Sequence, residues 1–359
     1  METDRNAGRR IEANSGIFSD KRLIHYSSLG ALDCITLELG VKFCKRLMTN
    51  SIDIQKLLTG DRRSIARAIS FVENENAGAE QFLSALYPHT GKAYRIGITG
   101  PPGAGKSTLT NKLAKHYRSQ SMKVGIIAVD PTSPFTGGAL LGDRVRMSEV
   151  EMDEGVFIRS MASRGSLGGL SKKTREAADI LDAAGFNIIL FETVGVGQSE
   201  LDIAGAADTT VVVLVPESGD GIQAMKAGLM EIADFFVMNK SDRPGADQAV
   251  MSIKMILGFR AHDEHSWMAD VVKTTASEGI GIDSIASEIT RHREYLTRSG
   301  EFEKRRARQL KARIEEIISD KFTVTFWNTE RKQKLELELS GILTRSRTPY
   351  AVAEELLKK

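Results

Sequence analysis

Between about Ala93 and Arg291 the chain alternates short apolar runs with stretches of helical period. The runs are Arg95 to Thr99, Val124 to Val129, Val156 to Ser160, Asn187 to Phe191, Thr210 to Val215, Phe235 to Met238 and Val271 to Lys273. Each has the length of a strand rather than of a buried helix. A strand that is apolar on both sides is buried on both faces. The pattern therefore predicts an α/β fold, a mostly parallel sheet with helices on each side. Ligands in such sheets bind outside the carboxyl ends of the strands, so candidate chemistry is sought there.

The flanks differ. From Asp53 the apolar positions Ile54, Leu57, Leu58, Ile65, Ala66, Ile69 and Phe71 recur at helical spacing, with Asp61 or Ser64 at the cap position of the second helix. A third helix is predicted over Ala79 to Leu86, stopping before Pro88. Residues 53–92 thus read as a small helical region packed on the domain that follows, 93–290. Residues 1–52 are weakly patterned, with one or two short helices within Ser27 to Leu47. Beyond Arg291 the chain is charged and helical through Arg291-His292-Arg293-Glu294 and Glu303 to Ile318. Phe322 to Trp327 interrupts that pattern, and a further helix starts near Glu330. Mixed charges fit a solvated face. A long helical tail outside a closed α/β domain, 291–359, also fits a dimerisation arm.

The net charge of +2, from 49 basic and 47 acidic residues, argues against a general nucleic-acid binder. The two cysteines, Cys34 and Cys44, form no C-x-x-C motif, as expected in a reducing, cytoplasmic setting. The longest apolar runs are too short to span a bilayer, so no membrane association is expected. The acids Glu2, Asp4, Glu12 and Asp20 among the first residues do not fit a transit peptide.

The strongest chemical signal is Gly100-Pro101-Pro102-Gly103-Ala104-Gly105-Lys106-Ser107. It fits G-x-x-x-x-G-K-[ST], between a predicted strand and a helix running from Ser107 to Ser119. A Gly/Pro turn with a chance lysine is the alternative, and the strand–helix context argues against it. The glycines let backbone N–H groups point at an anion, and the helix adds its positive end. Lys106 would reach the β- and γ-phosphates and Ser107 would ligate Mg²⁺, with Thr108 next to it. Asp130 and Glu192 each close an apolar run at the sheet edge where phosphates belong. Asp143 follows a Gly-rich loop. Each acid alone is as consistent with a helix cap as with a metal ligand; beside a P-loop, the metal reading is favoured. Glu192 opens Glu192-Thr193-Val194-Gly195-Val196-Gly197-Gln198, which has the form of a γ-phosphate switch, with Gly195 as a backbone donor.

Asn239-Lys240-Ser241-Asp242 follows the strand Phe235 to Met238 and has the N-K-x-D arrangement. The Asp242 carboxylate can accept both N1–H and N2–H of guanine, a donor pair that adenine lacks. The Lys240 stem can cover the ring. Thr275 and Ala276, after the last strand, can complete the base pocket. GTP and GDP are the expected ligands. Three Gly/Pro-rich connections, 131–146, 163–170 and 216–226, are longer than a compact domain needs.

Taken together, GPPGAGKST, VDPTSPFTGGALLGDRVRM, SLGGLSKKTREA, ETVGVGQSE, NKSD and the C-terminal TPYAVAEELL resemble the MeaB/MMAA family, also called ArgK. The resemblance runs from about residue 55 to the end. These are P-loop GTPases that serve as chaperones of adenosylcobalamin-dependent acyl-CoA mutases. The resemblance implies a homodimer with a helical N-terminal region, a central GTPase domain and a C-terminal dimerisation arm. It implies Mg²⁺ near Ser107, Asp130, Asp143 and Glu192. It also implies a third switch around Pro216 to Lys226 that answers to the mutase, so that Lys226 joins Lys106, Asp143 and Glu192 among the residues expected to act in hydrolysis. At Gly221-Ile222-Gln223 the chain departs from the acidic–apolar–Gln pattern of the family. Two other classes share the architecture. A nickel-type metallochaperone GTPase would call for a His- or Cys-rich tract, whereas the six histidines here are scattered. A kinase-like phosphotransferase would need an acceptor pocket, for which the sequence carries no specific signal.

Overall fold

The computed structural model describes residues 52–131, 148–163, 172–193, 199–216, 228–259 and 266–358. The helices expected within Ser27 to Leu47, and most of the three long connections, lie outside the described residues.

All seven expected strands form: β1 (Tyr94–Thr99), β2 (Val124–Pro131), β3 (Val156–Ser163), β4 (Ile188–Thr193), β5 (Thr209–Leu214), β6 (Phe235–Met238) and β7 (Val271–Lys273). They make one sheet in the order β3-β2-β4-β1-β5-β6-β7, and every pairing is parallel. The strands read as continuous apolar runs because both faces are covered. In β2, Ile126 and Ala128 join the core on one face, while Ile127 and Val129 join the core on the other.

The helices are α1 (Ile54–Leu58), α2 (Arg62–Glu73), α3 (Ala79–Leu86), α4 (Lys106–Ser119), α5 (Lys172–Ala183), α6 (Ala246–Gly258), α7 (Ile282–Ser299), α8 (Glu301–Phe326), α9 (Thr329–Leu343) and α10 (Pro349–Leu357), apart from shorter turns. Helices α4 and α7 cover one face of the sheet. The other is covered by α5 and by α1–α3, whose Leu57, Ile65, Ile69 and Phe82 share a core with Ile127, Val129 and Phe157. Residues 53–92 therefore supply a layer of the sheet's own core. Each such side chain contributes about 1.5–3 kcal/mol when fully buried. Of the two cap candidates, Asp61 caps α2, accepting from the Ser64 N–H at 2.7 Å.

The C-terminal region differs from expectation in two places. The boundary placed at 291 falls inside α7, where His292 is buried against the sheet and only 1% exposed. Arg291 and Arg293 lie over the rings of Trp267 and Tyr94. The chain turns away at Gly300, whose φ of +69° suits glycine. The expected interruption at Phe322 to Trp327 is absent: α8 runs on to Phe326. Phe322 and Phe326, one turn apart, stack at 5.8 Å, and extending an existing helix is easier than starting one.

One stripe of α8 is bonded to the amino-terminal edge of the sheet and to α5. Arg305 holds Asp234 through two bonds of 2.8 Å, and Arg306 holds Asp208 at 2.9 and 2.8 Å. Gln309 donates to the Ala207 carbonyl at 2.9 Å. Along α5, Arg313 pairs with Asp179, Glu316 with Arg175, and Asp320 with Lys172. Asp208 and Asp234 immediately precede β5 and β6 and are almost fully buried, so their charges need these partners.

Candidate functional site

The phosphate loop leaves the carboxyl end of β1, the sheet's central strand. Gly100 has φ +134°, and a Cβ there would lie 2.1 Å from the Val213 carbonyl oxygen of β5. Gly105 has φ +87°, and its Cβ would lie 2.4 Å from Asn239 Nδ2. A side chain at either place would collide with a neighbour the site needs. Lys106 opens α4, is only 5% exposed, and reaches back across the loop. Its ammonium donates to the Gly100 and Pro101 carbonyls at 2.7 and 2.9 Å. Ala104 is buried beneath the loop; Pro102, Gly103 and Thr108 face solvent. The first N–H groups of α4 have no partner within the helix and face the loop's anion position.

Ser107 donates to Glu192 Oε1 at 2.5 Å. Glu192 stands on β4, opposite Ile98 of β1, and is 3% exposed. This hydroxyl–carboxylate pair offers the hard oxygen ligands that Mg²⁺ takes, and so it fits such an ion. Asp130 lies two residues beyond Ala128, the β2 partner of Glu192, which places its backbone at the same edge; its side chain is outside the described residues. Asp143, Gly195 and Lys226 are outside them too. Among the described residues no group of three His, Cys, Asp or Glu side chains is placed to hold a metal ion.

The base motif is fastened to the phosphate loop. Asn239 donates to the Ala104 carbonyl at 2.8 Å and accepts from the Ala276 N–H at 3.0 Å and the Thr274 hydroxyl at 3.1 Å. Lys240, in the left-handed region at φ +57°, donates to the Gly103 carbonyl at 2.8 Å. The Thr275 hydroxyl donates to Asp242 Oδ1 at 3.4 Å, and the Asp242 residue is exposed. Lys106, Ser107, Glu192, Asn239, Lys240, Asp242, Thr275 and Ala276 are thus brought to one edge of the sheet.

One acid there was not singled out by the sequence. Glu200, in the short helix Ser199–Asp202, has its carboxyl pushed up by burial and partly drawn back by the Lys106 charge. It sits inside the ETVGVGQSE block but closes no strand, so the strand-end rule passes over it.

A parallel sheet with a P-loop on its central strand, an acid on the P-loop serine and an N-K-x-D turn clasping the loop defines a P-loop GTPase. A family model described as methylmalonyl-CoA mutase-associated GTPase MeaB matches residues 65–331, and the chain belongs to that family. It is 47% identical over 308 residues to a protein of Pyrococcus abyssi that carries a GTPase name, covering 85% of this chain and 95% of that one. It is 38% identical to the GTPase ArgK of Escherichia coli, over 71% of this chain and 80% of ArgK. It is 32% identical to the mouse methylmalonic aciduria type A homolog, over 88% and 79% of the two chains. Among solved structures, one titled LAO/AO transport system kinase superposes with a TM-score of 0.67 at 28% identity, over 85% of this chain and 95% of that one. The protein is a GTPase, and its family implies that it binds GTP and GDP.

Proposed function

We propose that this GTPase is a chaperone that assembles, protects or reactivates an adenosylcobalamin-dependent acyl-CoA mutase of the methylmalonyl-CoA mutase type. The match of residues 65–331 to a mutase-associated GTPase family carries the reading. Within it, Lys106 offsets charge on the transferring phosphoryl group, and the backbone of Gly100 to Ser107 cradles the phosphates. Mg²⁺ would be held by Ser107 and Glu192, joined by Asp130 and Asp143, and would supply charge neutralisation at the β- and γ-phosphates. Gly195 would sense the γ-phosphate. Asp242 would select guanine, with Asn239, Lys240, Thr275 and Ala276 shaping the base pocket. Lys226 would couple hydrolysis to the mutase in the cytoplasm.

In this reading the protein acts as a homodimer joined through its C-terminal arm. Support comes from Ile314, Ile318 and Phe322, which recur every four residues along α8 and are 56%, 61% and 62% exposed. Leu337 and Leu343 on α9 are more exposed still. Apolar side chains in such a row are commonly covered by a partner.

The test is hydrolysis with and without a cobalamin-dependent acyl-CoA mutase, together with complex formation in GDP and in a non-hydrolysable GTP analogue. The mutase should accelerate hydrolysis, and by linkage the nucleotide should alter affinity for the mutase. Lys226→Ala should weaken the acceleration while GTP binding stays intact. If every such mutase of the source organism leaves rate and binding unchanged, the chaperone reading fails and the GTPase assignment stands.

A further inference from the structure

Two buried hydroxyls at the carboxyl edge of the sheet have no part in the site as described. Thr99 is the last residue of β1, immediately before the phosphate loop. Thr193 is the last residue of β4, immediately after Glu192. Both are 0% exposed. Ile98 and Glu192, their neighbours, are register partners. Side chains alternate along a strand, so Thr99 and Thr193 lie on the opposite face of the sheet from Ile98 and Glu192.

The two hydroxyls form a directed chain. Thr193 donates to Thr99 Oγ1 at 2.9 Å, and Thr99 donates its own proton to the main-chain carbonyl of Glu200 at 3.3 Å. A threonine hydroxyl has one proton. With that proton given to Glu200, Thr99 can only accept from Thr193. Valine has nearly the same shape and an equal preference for strands, and the same strand carries β-branched apolar residues at Ile96 and Ile98. Packing alone does not call for a hydroxyl at either position, and burying one has a desolvation cost that its partners must offset.

What the chain connects is specific. On one side, Thr193 is covalently next to Glu192, the carboxylate bonded to Ser107. On the other, the carbonyl that Thr99 bonds belongs to Glu200, whose carboxylate lies within the field of Lys106. Thr99 itself is covalently next to Gly100. One side chain therefore ties together the strand end that carries Glu192, the segment that carries Glu200, and the root of the phosphate loop.

We infer that Thr99 is a positioning residue for GTP hydrolysis, holding Glu192 and Glu200 in register with Lys106 and Ser107 through the Thr193–Thr99–Glu200 chain. It touches no nucleotide. Its effect falls on the placement of charge in the transition state, where small displacements matter more than they do for binding.

The variants are Thr99→Val, Thr99→Ser and Thr193→Val in the full chain. GTP turnover at saturation is measured with Mg²⁺, beside GDP affinity by calorimetry. Thr99→Val should lower kcat by about fivefold to tenfold, the effect of losing one or two ordinary hydrogen bonds, while GDP affinity stays within about twofold. Thr99→Ser should restore most of the rate. Thr193→Val should show a smaller loss, and the double Thr99→Val/Thr193→Val variant should be no slower than Thr99→Val alone, because both cut one chain. Wild-type kcat in Thr99→Val overturns the inference. So does a loss of rate matched by an equal loss of GDP affinity and left unrepaired by serine, which is the pattern of damaged packing. Should Thr99→Val fail to fold, Thr193→Val and Thr193→Ser decide by the same split.

Discussion

Asn239 donates to the carbonyl oxygen of Ala104 across 2.8 Å, and its amide oxygen accepts from the N–H of Ala276. One side chain thus spans the phosphate loop and the segments that follow β6 and β7. Gly105 is glycine partly because of it, since a Cβ there would press on Asn239 Nδ2. The phosphate loop and the N-K-x-D turn are thus tied to each other by direct hydrogen bonds.

Selectivity for guanine is expected to rest on Asp242, next but two to Asn239. Asp242→Asn exchanges two acceptor oxygens for one acceptor and a donor. Xanthine presents a carbonyl where guanine presents its amino group. The variant should lose GTP affinity by about tenfold to a hundredfold, the effect of one or two bonds to a charged group, and should gain affinity for XTP. Calorimetric titration of both nucleotides decides it. Unchanged GTP binding would reduce Asn239 to Asp242 to a structural turn.

Lys106 is buried with its ammonium on the carbonyls of Gly100 and Pro101. In the proposed mechanism Lys106→Ala removes the charge that offsets the transferring phosphoryl group. Phosphate release from GTP with excess Mg²⁺ should fall by at least about a hundredfold, the scale for losing one preorganised electrostatic donor. Turnover like that of the wild type would take the loop out of the mechanism.

The attachment of α8 to the sheet should show in acid. Burial pushes the Asp234 carboxyl up, but the hydrogen bonds from Arg305, with the His292 ring close by, outweigh it and hold the group at about 2. In the unfolded chain an Asp titrates near about 3.9. The folded value is the lower one, so the unfolded state binds more protons between the two. The contribution is full above about pH 4 and disappears as the pH falls toward 2. Asp234→Asn should therefore destabilise by about 2 kcal/mol at neutral pH. The gap from wild type, followed by denaturant unfolding, should close on acidification. A gap that is constant from pH 6 to pH 2 would count against the pair as the source.

The sheet was legible because a parallel sheet covered on both faces leaves a plain mark: continuous runs such as Ile188 to Phe191. The phosphate and base motifs were legible because their spacing is dictated by the ligand. Less could be read of partnership over distance. The apolar stripe of α2 looks the same whether it closes a separate small domain or, as here, covers β2 and β3. Arg291 to Glu294 looks like a solvated stretch, yet His292 is buried with its Nδ1 2.8 Å from the Thr209 hydroxyl. Local charge does not reveal that an Asp at the start of β6 awaits Arg305. Phe322 to Phe326 has the composition of a helix breaker, and only the stacking along α8 shows why the helix continues. Glu200 escaped because its place is set by a fold-back toward Lys106 and not by the end of a strand.

The strand order also bears on synthesis. β1 roots the phosphate loop, but its two neighbours are β4 and β5. Tyr94 must wait for Ile188, and Ile96 for Leu190, before either is paired on one side, and Ile96 waits until Thr209 to be paired on the other. At about 5–20 residues per second on the ribosome, the interval lasts several seconds. Throughout it, the apolar ribbon Tyr94–Thr99 stands without a flanking strand, while β2 and β3 have already been made. The central strand of the finished enzyme is the one that remains open longest in the nascent chain, which makes it the segment most exposed to mispairing during translation.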